Sequence, residues 1–415
     1  MTAFHYDQDT LFVEGVDTHS IAERYGTPCY VYSRAALTWA YDDYRATLAD
    51  RDALICYAVK ANANLAILNL FARLGSGFDI VSGGELARVL AVGGNPEKIV
   101  FSGVGKRVDE IQAALSAGIY CFNVESEAEL ARIEDVARTL NTRAPIAIRV
   151  NPDIDAGTHP YISTGLKRNK FGIPLPQAEA LYRRVLDSSQ LEIKGIACHI
   201  GSQLLDPAPA AEAAARVAEL ADRLRAAGIH LQHLDLGGGL GISYRDEHAP
   251  SPAEFMRPIL AAIAGRTEKL LIEPGRSLVG AAGILLSHVE YLKSGAERDF
   301  AIVDAAMNDL MRPALCDAYH DIIPCRRRSD PTREFDIVGP VCESGDFLGL
   351  ARPLTIAAGD LLAVTAAGAY GMAMSSNYNS RPRAAEVMVD GSVTHLVRER
   401  ETIPQLFANE HPLPY

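Results

Sequence analysis

Basic residues are too few in this chain to balance the acidic ones. The formal net charge of −12 argues against nucleic acid as a partner, because phosphate binding wants a basic face. No run of about 18 apolar residues is present, so no segment reads as a membrane span. The start, Met1-Thr2-Ala3-Phe4-His5-Tyr6-Asp7, lacks the basic and apolar regions of a signal peptide, which makes the cytoplasm the expected compartment. Cysteines in zinc-type CxxC spacing are also missing. The seven present are Cys29, Cys56, Cys121, Cys198, Cys316, Cys325 and Cys342. Their odd count and wide spacing predict reduced thiols, mostly small core residues, and no metal site. Low-complexity linkers and internal repeats are lacking as well. What remains is an ordinary globular composition over 415 residues, enough for two domains or for one barrel with an added module.

Between residues 53 and 276 the sequence alternates short apolar runs with helix-like segments. Eight strand candidates lie at 54–59, 78–81, 99–102, 119–124, 146–151, 193–199, 231–236 and 270–273. They are continuous and rich in β-branched residues, as in a parallel sheet covered on both faces. Amphipathic helices fall between them. The segment 125–140 opens with Ser126 and Glu129, a capping-box spacing, and 208–227 is alanine-rich with an apolar stripe. Eight such units predict an α/β fold, a TIM-like (β/α)8 barrel over residues 27–275, with active-site residues at the C-terminal ends of the strands. A doubly wound open sheet is the alternative. Beyond 276 long helices give way to runs at 300–303, 334–338, 361–364 and 386–389, separated by Gly, Pro and Asp. That predicts a mostly β domain over 276–415, which the strand-like start within 1–26 joins.

The strand ends carry polar side chains of several kinds. Lys60 closes the first apolar run, and Asp79 and Ser82 lie at the second. Arg149 ends the fifth strand, and His199 and Ser202 follow the sixth. Asp235 leads into Gly237-Gly238-Gly239, and Glu273-Pro274-Gly275-Arg276 follows the eighth strand. Each has a plainer reading alone: a lysine reaching water, a structural histidine, a flexible turn, a solvated turn. Together they gather a lysine, a histidine, a glycine cradle and a carboxylate on one rim. A desolvated lysine is a nucleophilic amine, and glycine amides can approach a phosphate closely. An imidazole can stack on a ring, and a carboxylate can keep a pyridine nitrogen protonated. Those are the needs of pyridoxal 5'-phosphate.

On these residues the chain resembles the fold-type III pyridoxal-phosphate enzymes, and within them the diaminopimelate decarboxylase family. The likeness spans essentially the whole length. Its markers include Tyr57-Ala58-Val59-Lys60-Ala61-Asn62, Gly77-Phe78-Asp79-Ile80-Val81-Ser82 and Phe101-Ser102-Gly103-Val104-Gly105-Lys106. His159-Pro160-Tyr161-Ile162-Ser163-Thr164-Gly165, Asn169-Lys170-Phe171-Gly172 and His199-Ile200-Gly201-Ser202-Gln203 follow. Then come Asp235-Leu236-Gly237-Gly238-Gly239, Glu273-Pro274-Gly275-Arg276, Cys342-Glu343-Ser344-Gly345-Asp346 and Gly368-Ala369-Tyr370-Gly371. The resemblance implies a barrel with a β domain and a homodimer with shared active sites. It implies decarboxylation of a small-molecule substrate, meso-diaminopimelate, to L-lysine and CO2, the last step of lysine biosynthesis.

It further implies a role for each matched residue. Lys60 would bond covalently to the cofactor, His199 would stack on its ring, and Glu273 would pair with the ring nitrogen. Ser202, the glycines ending at Gly239, the backbone of Gly275 and Arg276, and the Tyr370 hydroxyl would hold the phosphate. Asp79 and Arg149 would lie beside the cofactor. Cys342 would be the proton donor, supplied by the second subunit; an ordinary thiol pKa near 8.5 suits that task. Arg276 and Arg312 would bind the distal carboxylate of the substrate, with Tyr370 nearby, and Glu343 the distal ammonium. A bare distal cation about 4 Å from a guanidinium would be repelled by roughly 4 kcal/mol at an effective dielectric of 20, which disfavours ornithine or lysine as substrate.

Two departures from the family pattern stand out. In Arg312-Pro313-Ala314-Leu315-Cys316 the family has a substrate-binding tyrosine where Cys316 stands, leaving a gap for water or a neighbour such as Tyr319. Gly83 stands where arginine is common, with little consequence expected. Two rival readings are a related decarboxylase acting on another amino acid, favoured by Cys316, and a non-catalytic cofactor-binding homologue, disfavoured by the presence of Lys60 and Cys342. A racemase of similar fold is disfavoured by the Cys-Glu-Ser-Gly-Asp motif.

Overall fold

Eight short strands, each too apolar to leave either face in water, pair side by side and close on themselves. The structure, a computed structural model, describes residues 3–155 and 170–414. The 159–165 motif and Asn169 therefore lie outside the described residues. The strands are β1 (Ala53–Ala58), β2 (Gly77–Ile80), β3 (Ile99–Phe101), β4 (Cys121–Val124), β5 (Ala144–Asn151), β6 (Leu191–Cys198), β7 (His233–Asp235) and β8 (Lys269–Ile272). Every neighbouring pair is parallel. The ring shuts where β8 meets β1, with Leu270 opposite Ala53 and Ile272 opposite Ile55. This is the expected barrel, and the open-sheet alternative is excluded.

The barrel interior is apolar low down and polar at the top. Leu54, Cys56, Val100, Cys121, Ala147 and Leu271 form one buried cluster drawn from different strands. Side chains of this kind contribute about 1.5–3 kcal/mol each when the larger ones are fully buried. Above them, at the C-terminal ends, sit Asp79, Asn123, Arg149 and Asp235, all buried. Parallel pairing points every strand the same way, so all of these polar ends share one rim.

Seven of the connecting helices are α1 (Leu65–Arg73), α2 (Gly83–Ala91), α3 (Val108–Ala117), α4 (Glu127–Thr139), α5 (Leu175–Leu186), α6 (Ala208–Ala226) and α7 (Pro252–Ala262). Ser82, Ser126 and Ser251 cap α2, α4 and α7 by accepting from the amide three residues on. Only half of the box expected at Ser126 forms. The Glu129 carboxylate accepts from Lys106 Nζ (2.7 Å) and from the Glu125 amide (3.3 Å). The fourth strand starts later than expected because Ile119 still belongs to the end of α3. Gly118 is left-handed there, and the Ile119 amide returns to the Ala114 carbonyl.

The chain divides into two units. One holds Ala40–Ile242 and His248–Leu278; the other holds the chain up to Trp39, Ser243–Glu247, and Val279 onward. Residues 27–39 and 243–247, assigned from sequence to the barrel, thus fall in the β-rich unit, and 276–278 fall with the barrel. The cause is pairing. Strand Cys29–Ser33 runs antiparallel to Gly283–Ser294 and parallel to Ala385–Asp390. Gly283–Ser294 is the spine of this unit. Its first half pairs with Cys29–Ser33 and with Leu361–Val364, and its second half with Asp299–Val303. No described helix is long and apolar enough to cross a membrane. All seven cysteines are free thiols, five of them buried.

Lys106 lies in the loop after β3 and is 2% exposed. Its ammonium reaches the Gly103 carbonyl (2.7 Å), the Asn123 carbonyl (2.8 Å) and Glu129 Oε1 (2.7 Å). Three donors meet three acceptors, so this buried lysine is structural. Lys106→Met leaves the Glu129 carboxylate buried without its cation and is expected to lower unfolding free energy by about 3–5 kcal/mol. A denaturant titration measures this, and adding Glu129→Gln should recover part of the loss.

Candidate active site

Lys60 stands two residues beyond the end of β1, in a 3-10 turn, Val59–Ala61. Its side chain is 38% exposed, and Nζ lies 2.8 Å from Oδ2 of the wholly buried Asp79 on β2. Unlike Lys106 it keeps access to the rim. Among the described residues Asp79 Oδ1 has no hydrogen-bond partner, although it is buried. The turn is tied across the barrel seam, because the Ala58 amide donates to the Pro274 carbonyl (3.0 Å).

Opposite stands a pair of buried carboxyls, Asp235 ending β7 and Glu273 just past β8. Asn123 on β4 binds both: its Nδ2 lies 3.1 Å from Asp235 Oδ2 and 3.2 Å from Glu273 Oε1. The same nitrogen is 3.1 Å from Ser102 Oγ. Burial, then the charges of Asp235 and Asp79, push Glu273 well above the ordinary carboxylate range, and Lys60 opposes this. Burial also raises Asp235, against hydrogen bonds from Glu273, the Gly237 amide and Asn123. Two buried carboxyls held by one asparagine disfavour each other's negative charge, which adds to burial in raising Glu273.

The turn after β7 can be built only from glycine. A Cβ on Gly237 would lie 2.7 Å from the Cys198 carbonyl oxygen, one on Gly238 2.2 Å from that of Glu273, and one on Gly239 2.7 Å from Leu204 Cδ1. Gly237 and Gly239 also have φ of +67° and +116°, where a side chain is strained. His199 follows β6, and its Nδ1 accepts from the Gly238 amide (3.3 Å). Burial first, then the positive charges of Arg149 and Lys60, hold this imidazole well below its ordinary pKa, so it is neutral. Ser202 Oγ accepts from Nη2 of the buried Arg276 (3.1 Å). At Gly275 a Cβ would press on Ala58 and Ala61, at 3.1 and 3.2 Å.

Arg149 on β5 has a bracing role. Its Nη1 meets Glu125 Oε1 (2.7 Å). That carboxylate also accepts from the amides of Gly103 (3.1 Å) and Gly172 (2.9 Å), so three strand-end loops are pinned together.

In the β-rich unit Arg312 opens a short helix, Arg312–Cys316, and is buried. Cys316 donates its Sγ hydrogen to the Arg312 carbonyl (3.3 Å). Tyr319 is held between guanidinium groups, with Arg352 Cζ 3.6 Å and Arg245 Cζ 5.0 Å from its ring centroid. Cys342 and Glu343 are exposed on a tight turn. The turn is anchored by Asp346, whose Oδ2 accepts from the Val341 amide (2.7 Å), and by Asn379, whose Oδ1 accepts from the Cys342 amide (2.9 Å). Tyr370 has φ of +57°, the strained left-handed region.

Sequence reasoning missed Asn123, which bridges the two buried carboxyls. Asn123 had a signal: it is the one amide within the apolar run Cys121-Phe122-Asn123-Val124. Near Lys60 one more carboxyl is displaced. Glu85 on α2 accepts from the Val81 amide (2.7 Å), and burial pushes its pKa up from 4.5 to about 7, with Lys60 opposing. A folded pKa above the unfolded one gives stability that is full below the unfolded value and lost as pH rises through about 7. Glu85→Gln keeps the acceptor for Val81. It is expected to raise the unfolding temperature at about pH 8 by on the order of 2 °C, and the gain should shrink toward about pH 5.

Comparison with known proteins places this rim in a family. Residues 34–280 match the model described as pyridoxal-dependent decarboxylase, pyridoxal binding domain. The diaminopimelate decarboxylase of Pseudomonas aeruginosa is 56% identical over 414 residues, covering 100% of both chains. The structure of diaminopimelate decarboxylase from M. jannaschii in co-complex with L-lysine is 38% identical, with a TM-score of 0.95 over 100% of this chain and 99% of that one. The Helicobacter pylori enzyme, complexed with L-lysine, is 43% identical with a TM-score of 0.92 over 94% of this chain and 98% of that one. The chain belongs to the diaminopimelate decarboxylase family of pyridoxal-dependent decarboxylases.

Proposed function

We propose that this chain catalyses the pyridoxal-phosphate-dependent decarboxylation of meso-2,6-diaminopimelate to L-lysine and CO2, in the cytoplasm and as a homodimer. The observation that carries the reading is the meeting of Lys60, His199, Glu273 and the three-glycine turn at one end of one barrel, in a chain of this family. The donor set fits the cofactor. A lysine with rim access suits its aldehyde, a neutral imidazole its ring face, a buried carboxyl its ring nitrogen, and the glycine turn its phosphate.

Pyridoxal phosphate, when bound, supplies the electron sink for the breaking C–C bond. Lys60 would hold it covalently through Nζ, with Asp79 fixing that amine. Glu273 would face the ring nitrogen, backed by Asn123 and Asp235. Gly237, Gly238, Gly239, Ser202, the backbone of Gly275 and Arg276, and the Tyr370 hydroxyl would take the phosphate. We assign Arg149 to bracing the loops around that site. By the family resemblance Arg276 and Arg312 would bind the substrate's distal carboxylate and Glu343 its ammonium, with Tyr370 and Cys316 assigned to the same substrate-binding set. Cys342, contributed by the second copy, would donate the proton to the carbon that has lost CO2. Its exposure suits a reacting thiol, whereas burial pushes the thiols of Cys56 and Cys121 well up. A related decarboxylase with another amino-acid substrate is the second reading, favoured by Cys316 in place of the family tyrosine.

The test is CO2 release from meso-diaminopimelate against the LL isomer, ornithine, arginine and L-lysine. Release from the meso form is expected, and Lys60→Ala should abolish both it and any borohydride-reducible cofactor adduct. Release from the LL isomer alone would overturn the substrate. Cys342→Ala should keep the cofactor while turnover falls by about 100-fold or more; unchanged turnover would remove its role.

A further inference from the structure

We propose that His320 and Tyr244 are positioning residues that fix the Arg312 guanidinium for the carboxylate of the substrate's distal head. The inference rests on the reading of Arg312 given above.

Arg312 Nη1 carries two hydrogens and meets two acceptors. The Tyr244 hydroxyl lies at 2.9 Å and His320 Nε2 at 2.8 Å. The histidine can accept because its other nitrogen is committed. His320 Nδ1 stands 2.9 Å from the Thr365 carbonyl oxygen, which only accepts, so Nδ1 carries the hydrogen and Nε2 keeps its lone pair. A hydrogen on Nε2 would point at the guanidinium's own hydrogens. The ring is wholly buried, and its backbone carbonyl is held by Arg352 Nη2 (3.0 Å).

Tyr244 supplies the second wall. Arg312 Cζ lies 4.8 Å from its ring centroid, within cation–π range. Its ring meets that of His320 edge to face at 5.2 Å. Glu247 pins the turn that carries it, accepting from the amides of Tyr244 (2.7 Å) and Arg245 (3.0 Å). Two acceptors on one nitrogen fix the guanidinium plane before a ligand arrives, so a carboxylate meets a fork already set.

Steady-state decarboxylation of meso-diaminopimelate by the full-length, cofactor-loaded chain tests this. His320→Asn keeps a donor near Thr365 but loses the acceptor for Arg312. It is expected to raise KM about threefold to tenfold with kcat changed less than about twofold. His320→Gln, whose Oε1 can accept near the Nε2 position, should restore KM to within about twofold of wild type. Tyr244→Phe, which removes only the hydroxyl, should raise KM about twofold to threefold. Inhibition by L-lysine, which has the carboxylate, should weaken in step with KM in His320→Asn, while inhibition by cadaverine, which lacks it, stays unchanged. Wild-type KM in both His320→Asn and Tyr244→Phe would overturn the proposal, as would equal weakening of cadaverine. Arg312→Ala separates the layers. If it raises KM while the other variants are silent, the seat alone is wrong; if it leaves KM unchanged, the reading of Arg312 fails with it.

Discussion

The pairing of β8 with β1 is the contact on which the rest of the barrel's chemistry depends. Until that seam closes, the turn after β1 and the turn after β8 are separate loops some 210 residues apart in the chain. Once Ile272 sits opposite Ile55, the Pro274 carbonyl takes the Ala58 amide and both turns become parts of one rim. The same closure buries Glu273 against Asp235 and brings Gly238 within reach of the Glu273 carbonyl. Closure is driven by apolar strands that leave no face for water. Hydrophobic pressure in the lower barrel thus holds polar groups together in the upper barrel.

Two lysines of this barrel show how burial and partnership separate structure from chemistry. Lys106 is fully enclosed and meets three acceptors, so its proton is held. Lys60 meets the Asp79 carboxylate and keeps 38% of its side chain exposed. The carboxyls follow the same logic. Glu125 is matched to the cation of Arg149 and to two amides, whereas Asp235 and Glu273 are held by neutral donors, Asn123 and the Gly237 amide among them. In each set the residues assigned to the cofactor are the ones left accessible or set beside a like charge.

Much of this was legible in the sequence, for physical reasons. Strands covered on both faces must be continuously apolar, so β1 to β8 stood out, and a charged residue at the end of such a run is conspicuous. Residue placements that depend on distant partners were hidden. Cys29–Ser33 reads as one more apolar run beside the barrel, and only its pairing with Gly283–Ser294 and Ala385–Asp390 assigns it to the β-rich unit. The spacing of Ser126 and Glu129 promised a full capping box, but Lys106 and the Glu125 amide hold the glutamate carboxylate. Tyr244 and His320 carried no periodic signal, because their role exists only where Ser243–Glu247 meets Arg312 and Thr365.

The strand Cys29–Ser33 has a consequence for synthesis on the ribosome. It emerges early, yet its two sheet partners lie about 250 and 350 residues later. The barrel, by contrast, draws its strands from one stretch, Ala53 to Ile272, and can close while the remainder is still being made. The nascent chain must therefore carry an unpaired apolar strand ahead of a finished barrel until the C-terminal strands arrive. Cys29–Ser33 is thus an apolar strand whose sheet partners are synthesised long after it, unlike the locally paired residues 4–17 before it.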